Sequence, residues 1–262
     1  MEMSSAKKAK GPLNSLLKRI NFKFTLIALI LVVLIFFLLP SIPTIQTEKT
    51  KNNENKDNNN RSKEGQSEKK IEIITLPEPD RQGTSTLEKT IDDRRSIRTF
   101  QSQNLSHGEI SQLLWAGQGI TDEESLFRAT PSAGATYPLE LYIVDYRGVY
   151  NYKPEHHRLE LIKSGDFRKE LAELSFGQSF VEEAPMVIVI SAVYDRTTSV
   201  YGKEEGKRYV HMEVGHCAQN IILQSVALGL DSVPVGAFSE TGVQDTLSFP
   251  DNHKPLYLIP VG

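Results

Sequence analysis

Three arginines and a serine crowd into the stretch Asp93-Arg-Arg-Ser-Ile-Arg-Thr-Phe100. Guanidinium groups this close repel one another unless an anion neutralises them, and the planar fork of arginine fits a phosphate with two hydrogen bonds. A solvated basic patch is the alternative interpretation. The residues that could hold a phosphate-bearing ligand are Arg94, Arg95, Ser96 and Arg98.

Two further stretches combine proline with small residues. The loop Pro131-Ser-Ala-Gly-Ala-Thr-Tyr-Pro138 is stiffened at both ends and would let a flat ligand approach its backbone. The stretch Pro234-Val-Gly-Ala237 is a bend that could present backbone N–H groups. An ordinary loop and a turn that ends a strand are the plain alternatives. The candidate contact residues are Ser132, Ala133, Gly134, Pro234, Val235, Gly236 and Ala237.

A long helix between about Arg208 and Leu230 must position the second bend. Its apolar residues recur with the period of an α-helix, and Gly229 stands near its end, where a positive φ is often needed. The apolar residues spread beyond one stripe after Ile221, so we expect burial on most sides. Residues 230–238 then predict a short extended segment. The periodic positions are Val214, Cys217, Ala218, Ile221 and Ile222.

The other elements predict an α+β fold with an antiparallel-rich sheet flanked by helices. Ser106-His-Gly-Glu109 is a capping box that begins a helix ending at Gly117 or Gly119. A continuous β-branched run, 186–192, is typical of a buried central strand. The remaining predictions are strands at 139–145, 149–152, 158–162 and 256–261, and helices at 84–92 and 166–184.

The first 70 residues differ in composition from the rest of the 262-residue chain. Residues 1–23 hold six basic residues and one acid, which is typical of a cytoplasmic N-terminus beside a membrane. Residues 24–40 are uncharged and predict one transmembrane anchor; a cleaved signal peptide is the rival interpretation. Residues 41–70 predict a disordered polar linker, because they lack apolar surface to bury. The globular domain, 71–262, would then be extracytoplasmic.

Charge and cysteine usage exclude some functions. The net charge is −3 although the N-terminus is basic, so residues 71–262 carry an acidic excess that would repel nucleic-acid phosphates. The single cysteine, Cys217, excludes an internal disulfide and is expected to be a buried, inert thiol. His211 and His216 are five residues apart, which does not place two metal ligands on one helix face. We therefore predict neither nucleic-acid nor metal binding.

The three motifs, in this order, resemble the FMN-dependent nitroreductase superfamily, and its SagB/ThcOx-type dehydrogenase branch most. The resemblance spans about 93–262 and includes Gly-His-Cys-Ala-Gln-Asn-Ile-Ile-Leu, 215–223, in the long helix. It implies that the arginine stretch holds the FMN phosphate, ribityl chain and pyrimidine edge. It further implies that Ser132, Ala133 and Gly134 cover the flavin of a neighbouring subunit, and that Gly236 and Ala237 direct a backbone N–H at flavin N5.

The resemblance implies a homodimer with two FMN sites, in which the long helix lies at the interface. The activity implied is hydride transfer through FMN between NAD(P)H and an organic acceptor. The alternatives are an azoline-type dehydrogenase that acts on a modified peptide, and a non-catalytic flavin-binding module tethered to the membrane. That branch pairs a lysine with a tyrosine for proton removal; Lys207 and Tyr209 have the right residue types, but they are not matched to those positions, and no catalytic pair is assigned. Because Pro260-Val-Gly262 carries no basic residue, phosphate binding is expected to depend on the three arginines.

Overall fold

The structure, a computed structural model, describes residues 72–262, and the N-terminal regions predicted at 1–23, 24–40 and 41–70 lie outside them. The described part of the chain contains eight strands, seven helices and two single 3₁₀ turns. The elements are β1 (Ile73–Thr75), α1 (Leu87–Asp93), α2 (His107–Gln118), β2 (Ile120–Asp122), β3 (Phe127–Arg128), β4 (Leu139–Asp145), β5 (Gly148–Lys153), β6 (Arg158–Ser164), α3 (Arg168–Leu174), α4 (Phe180–Glu183), β7 (Met186–Ala192), α5 (Asp195–Tyr201), α6 (Lys203–Ala227), α7 (Glu240–Thr246) and β8 (Lys254–Val261).

Six of these strands form one sheet in the order β1-β6-β5-β4-β7-β8, and every neighbouring pair is antiparallel. All seven residues of β7 are buried, because helices or loops cover both faces of the sheet at this strand. The predicted α+β fold with an antiparallel-rich sheet flanked by helices is confirmed, and so is the buried strand at 186–192.

The capping box predicted before α2 is present. Ser106 accepts a hydrogen bond from the Glu109 N–H, and the Glu109 carboxylate accepts one from the Ser106 N–H at 2.7 Å. Two of the N–H groups that a helix start leaves unpaired are thereby satisfied. At the other end, α2 packs closely on α6: a Cβ at Gly117 would lie 3.0 Å from the Ile221 side chain. The absence of a side chain at Gly117 therefore allows this approach.

The long helix α6 begins five residues before the predicted start at Arg208. One face is buried through Val210, Val214, Cys217 and Ile221, whereas the opposite face of its first half is exposed, with Met212 at 51%. Burial on most sides is thus seen only after Ile221, where no residue up to 228 is exposed. The exposed face leaves room for a partner along the first half of the helix.

The helix predicted at 166–184 is broken in two. α3 ends at Leu174, and α4 begins only at Phe180. Between them the backbone is left-handed at Phe176, with a φ of 57°, and at Gly177, with a φ of 77°. A left-handed residue ends an α-helix, and glycine takes that conformation without a steric penalty. The amphipathic pattern continues across the break, which is why the sequence predicted one helix.

The extended segment predicted after α6 lies along β8. Asp231 and Gly262 exchange two backbone hydrogen bonds of 2.8 and 3.0 Å, and the Val233 N–H donates to the Pro260 carbonyl. Val235 pairs with Leu258 in the same way, at 2.8 and 3.0 Å. The backbone on both sides of Pro234 is therefore fixed by the last strand.

Within residues 72–262, no helix has the length and the apolar character that are needed to cross a membrane. The anchor predicted at 24–40 stays a prediction.

The contact between α5 and α6 gives a stability prediction at Gly206. A Cβ at this position would lie 2.7 Å from the Thr198 Cα, which is backbone and cannot rotate away. We expect Gly206→Val to lower the free energy of unfolding by about 1–3 kcal/mol, measured by urea denaturation. The control is Gly108→Ala in α2, where a Cβ makes an ordinary 3.8 Å contact with Ser106; it should change stability by less than about 1 kcal/mol. Equal effects of the two substitutions would contradict the packing argument.

Candidate functional site

The arginine segment follows α1 as irregular backbone and is tied to the end of α6. The Ile97 N–H donates to the Ser232 carbonyl at 3.1 Å, and the Ser232 hydroxyl is hydrogen-bonded to Ser225 of α6 at 2.7 Å. Ser96 is exposed, as is Arg98, whose guanidinium lies 5.6 Å from the centre of the Phe180 ring. The backbone of this loop is therefore fixed next to Ser232, two residues before Pro234.

The arginine segment is electrostatically uncompensated. Among residues 72–262, no ion pair involves Arg94, Arg95 or Arg98. Arg95 donates to the carbonyls of Asp92 and Arg94, both at 2.7 Å, so its charge is solvated by backbone and not neutralised. Three guanidiniums without a carboxylate partner fit an anionic group such as a phosphate.

The second candidate group, the bend 234–237, lies next to the arginine segment. Gly236 and Ala237 are exposed, and in the described part of the chain neither N–H donates a hydrogen bond. Val235, one residue earlier, is buried and pinned to Leu258, so the bend projects from a fixed base. The hydrogen bond between the Ile97 N–H and the Ser232 carbonyl connects the segment that contains Arg94, Arg95, Ser96 and Arg98 to the backbone two residues before Pro234, Val235, Gly236 and Ala237.

The third candidate group, Ser132, Ala133 and Gly134, lies elsewhere on the same chain. A Cβ at Gly134 would come within 2.5 Å of the Tyr201 hydroxyl, and Ser132 lies beside Glu213 in the first half of α6. Glu213 precedes Ser225 by twelve positions, which is roughly 18 Å along a helix. A single chain therefore does not unite this loop with the arginine segment.

Glu213 is a residue of this region that sequence analysis did not single out. Its side chain is 3% exposed, and its Oε1 atom has no hydrogen-bond partner among the described residues. Burial raises the pKa of the Glu213 carboxyl to about 7, against the smaller lowering effects of the Ser132 hydroxyl and the Arg128 charge. The only sequence indication was an acidic residue on the helix face that also carries Val210 and Cys217.

Cys217 is fully buried one turn further along α6, as predicted. Burial raises the pKa of its thiol to about 12, so the thiolate that nucleophilic attack would require is not formed near neutral pH. In the part of the chain that the structure describes, no group of three or more His, Cys, Asp or Glu side chains could hold a metal ion.

A cavity of about 440 Å³ opens beside the loop 131–138. Thr136 and Tyr137 of the loop line it, together with Gln118 and Arg128, whereas no residue of the arginine segment or of the bend does. The Arg128 guanidinium is 4.7 Å from the centre of the Tyr137 ring and also pairs with Glu155. This cavity is therefore a feature of the loop and separate from the arginine site.

The buried carboxyl at Glu213 predicts a pH-dependent stability. Burial raises the pKa of the Glu213 carboxyl from its ordinary 4.5 to about 7 in the folded chain, so the favourable contribution of this group to stability is complete below pH 4.5 and is lost as the pH rises through 7. We expect the unfolding free energy of Glu213→Gln relative to the original chain to rise by about 3 kcal/mol between pH 4.5 and pH 8. Urea titrations across this range measure it. Glu204→Gln, at an exposed position on the same helix, should show no such trend. If the stability of Glu213→Gln and that of the original chain change with pH in the same way, the burial argument is refuted.

The comparisons with known proteins agree with this fold and with the order of the motifs. A profile described as the nitroreductase family matches residues 91–262. The Methanocaldococcus jannaschii protein MJ1384, assigned by name to the nitroreductases, is 46% identical over 183 residues, which are 67% of this chain and 90% of the relative. The chain belongs to the nitroreductase family, which is a family of oxidoreductases. The resemblance stated from the motifs is confirmed.

Two further similar proteins concern the architecture of the fold and the branch of the family. The crystal structure of a Ralstonia eutropha protein, also assigned by name to the nitroreductases, has a TM-score of 0.67 and 30% identity, covering 72% of this chain and 88% of that one. The microcin B17-processing protein McbC of Escherichia coli is 25% identical over 163 residues, 58% of this chain and 60% of McbC. The chain thus spans less than two thirds of McbC.

Proposed function

We propose that the chain is an FMN-dependent oxidoreductase that transfers a hydride between NAD(P)H and an organic acceptor. The observation that carries the proposal is the pair of exposed N–H groups at Gly236 and Ala237, which have no acceptor within residues 72–262, on a segment hydrogen-bonded to the loop of three arginines that form no ion pair in that same range. A flavin mononucleotide needs both features, since it carries a phosphate at one end and a hydrogen-bonding ring at the other. Membership of the nitroreductase family supports the same cofactor.

Each group has a distinct task in this proposal. Arg94, Arg95 and Arg98 bind the phosphate, with Ser96 at the ribityl chain. When bound, FMN supplies the hydride chemistry at its N5 atom. The bend donates a backbone N–H towards that atom, and Val235, through its pairing with Leu258, keeps the donor in place. A fixed backbone donor requires no reorganisation during the reaction, so no side-chain acid is required.

A homodimer would complete the site. The arginine segment lies near the C-terminal end of α6 and the loop 131–138 lies near its first half, which exposes one face that includes Met212. In a two-fold dimer each contact is made twice, so two α6 helices that pair antiparallel would bring the loop of one chain to the arginines of the other. The separation of the two groups and the exposed helix face both support this arrangement.

A second candidate function is the dehydrogenation of an azoline ring in a modified peptide. The similarity to McbC, a protein named for microcin B17 processing, favours it. Lys207 is exposed, and Tyr209 makes an edge contact with Tyr201, with ring centres 5.1 Å apart; no catalytic pair is assigned. In either function the acceptor site would be next to the flavin. A membrane anchor at 24–40 would hold the domain 71–262 near a lipid surface outside the cytoplasm.

Absorption spectroscopy and rapid mixing test the proposal. The purified chain, with FMN added if it is colourless, should show flavin peaks and retain one FMN per chain after gel filtration. Mixing with NADH or NADPH should bleach these peaks, and an organic acceptor should restore them. If the chain binds FMN but neither NADH nor NADPH bleaches the flavin absorbance, the chain is instead a flavin-binding module or requires the peptide substrate. A chain that retains no FMN would refute the proposal.

A further inference from the structure

His157 is a half-buried histidine that the proposed hydride transfer does not use. It follows β5 in the chain, and its ring contacts three polar groups. The Nε2 atom lies 2.6 Å from the Ser111 hydroxyl of α2 and 3.0 Å from the Pro77 carbonyl. The Nδ1 atom lies 2.8 Å from the Tyr152 hydroxyl of β5. One ring therefore connects a helix, a strand and the segment that precedes α1.

The part of that segment which the ring contacts, residues 76–80, is called the strap below. The Leu76 N–H donates to the His157 carbonyl at 3.1 Å, and the Leu76 side chain is buried in the core. Asp80 exchanges two hydrogen bonds of 2.8 Å with the Gln112 side chain of α2. Together with β1, the strap joins the rest of the domain to residues 1–71. Its release would therefore change how the domain is connected to the N-terminal part of the chain.

The partners of the ring determine its tautomer. A carbonyl oxygen can only accept, so the Nε2 atom, which faces the Pro77 carbonyl, carries the proton. The same carbonyl has two lone pairs and also accepts from the Ser111 hydroxyl at 2.5 Å. The Nδ1 atom is then unprotonated and accepts from the Tyr152 hydroxyl. With the ring neutral, each of these groups has a hydrogen-bond partner.

A second proton on the ring disrupts this arrangement. A protonated Nδ1 can only donate, so the Tyr152 hydroxyl has to direct its own proton elsewhere. Tyr152 is 1% exposed, and its hydroxyl has no other hydrogen-bond partner among residues 72–262. A buried donor that loses its acceptor destabilises the state in which it is buried. The neutral ring therefore fits the bound strap, and the charged ring does not.

The charged groups near the ring line a cavity of about 340 Å³, to which α2 contributes the uncharged Trp115; these groups are Glu78, Arg81, Glu123 and Glu155. Burial lowers the pKa of the His157 imidazole below its ordinary 6.5, against the smaller raising effects of the Pro77 carbonyl and the Glu78 charge. The stabilising contribution of the neutral ring is therefore present above pH 6.5. It is lost as the pH falls through the lower pKa of the folded chain.

We propose that His157 is a pH-sensitive switch: its neutral ring holds the strap on α2 and β5, and its protonation releases the strap. The proton comes from water and binds at Nδ1. Acid thereby detaches the segment through which the domain is connected to residues 1–71. The switch involves neither the arginine segment nor the bend 234–237, so it is independent of the proposed flavin chemistry.

NMR of the histidine rings in the purified chain, without added flavin, tests the switch in the unchanged sequence. With ¹⁵N-labelled histidine, we expect His157 to be the Nε2–H tautomer at pH 7.5 and to titrate with a midpoint below the ordinary value of 6.5. An Nδ1–H tautomer, or a midpoint at or above 6.5, would overturn the proposal.

Residue-resolved amide hydrogen exchange follows the strap itself. After correction for the intrinsic effect of pH, we expect protection of the Leu76 and Asp80 amides to fall on the order of tenfold between pH 7.5 and pH 5, the effect of one unsatisfied buried group. The Val189 amide, in the middle of the sheet, is the internal reference and should keep its protection. If protection at Val189 falls by the same factor, acid loosens the whole domain and the switch is refuted.

The variant His157→Asn removes the titrating group. Asparagine tolerates the left-handed backbone at this position, where φ is 43°, and keeps an oxygen that can accept from Tyr152. The backbone carbonyl that pairs with Leu76 is unchanged. We expect protection at Leu76 and Asp80 in this variant to differ by less than about threefold between the two pH values. A tenfold fall that persists would show that another group senses the acid.

Two further variants are the controls. His253 is also half-buried, and its Nδ1 atom lies 2.6 Å from the Tyr142 hydroxyl, so His253→Asn removes a similar pair elsewhere in the fold. It should leave the response of the strap to pH unchanged. Ser111→Ala removes one hydrogen bond to Pro77 and should lower protection of the strap by a similar factor at both pH values. If either variant abolishes the fall between pH 7.5 and pH 5, His157 is not the sensor.

Discussion

The double substitution Arg94→Ala and Arg98→Ala is expected to raise the Kd for FMN at least about 100-fold. A hydrogen bond between charged groups contributes roughly 1.5–3 kcal/mol, and this change removes two guanidiniums from the phosphate. Neither arginine has an ion pair within residues 72–262, so their loss breaks no salt bridge there. Quenching of flavin fluorescence during titration measures the Kd.

Riboflavin, which has the ring and ribityl chain of FMN but no phosphate, is the matched ligand for this experiment. The double variant should bind riboflavin about as well as the original chain does, since the lost contacts are to the phosphate. Arg81→Ala is the matched protein control, because Arg81 lies near Trp115 and Ile120, away from the arginine segment. An equal loss of affinity for both ligands would indicate damage to the fold, and an unchanged Kd for FMN would show that the arginines are misassigned.

Substituting proline at Gly236 or at Ala237 is expected to slow flavin reduction by NAD(P)H on the order of 100-fold. Proline has no N–H, and removal of one preorganised donor at a reacting centre typically costs a factor of 10²–10³. Neither position has a positive φ, and neither N–H has an acceptor among the described residues, so proline disrupts no existing hydrogen bond. Stopped-flow absorbance measures the reduction rate with saturating FMN.

Comparison of the proline variants with Gly236→Ala separates the effect of losing the N–H group from the effect of adding a side chain. A Cβ at Gly236 makes only an ordinary 3.7 Å contact with the Tyr257 ring. Gly236→Ala keeps the donor, and we expect it to lose less than about fivefold in rate, in line with the small cost of an ordinary contact. If both proline variants reduce as fast as Gly236→Ala, the bend does not supply the donor. If only one is slow, that residue is the donor.

Much of the fold follows from local patterns in the chain. The capping box at Ser106 and Glu109 defines the start of α2, and the β-branched run of β7 is buried along its whole length. The adjacency of the arginine segment and the bend was expected only from the family resemblance. It depends on the hydrogen bond between Ile97 and Ser232, two residues 135 positions apart in sequence that no local pattern connects.

The features that were missed depend on tertiary contacts. The break at Phe176 requires a left-handed aromatic residue, which amphipathic periodicity does not reveal, although the neighbouring Gly177 was a weak indication. The hairpin of β2 and β3 and the helices α5 and α7 are too short for a distinct period. Glu213 is buried although it is an acid, and the pattern of a single helix cannot predict such burial.

The segment 231–235 also has a protective role at the border of the sheet. β8 ends the strand order, and residues 231–235 occupy the outer edge that would otherwise present free N–H and C=O groups. An uncovered edge strand is a template for pairing with other chains and leads to aggregation. Residues 231–235, which continue into the proposed flavin contact at 236–237, thus also keep β8 from pairing with other molecules. Substitutions that detach this segment would lower solubility as well as cofactor affinity, and a bound flavin that holds the bend would protect the protein from aggregation through this edge of the sheet.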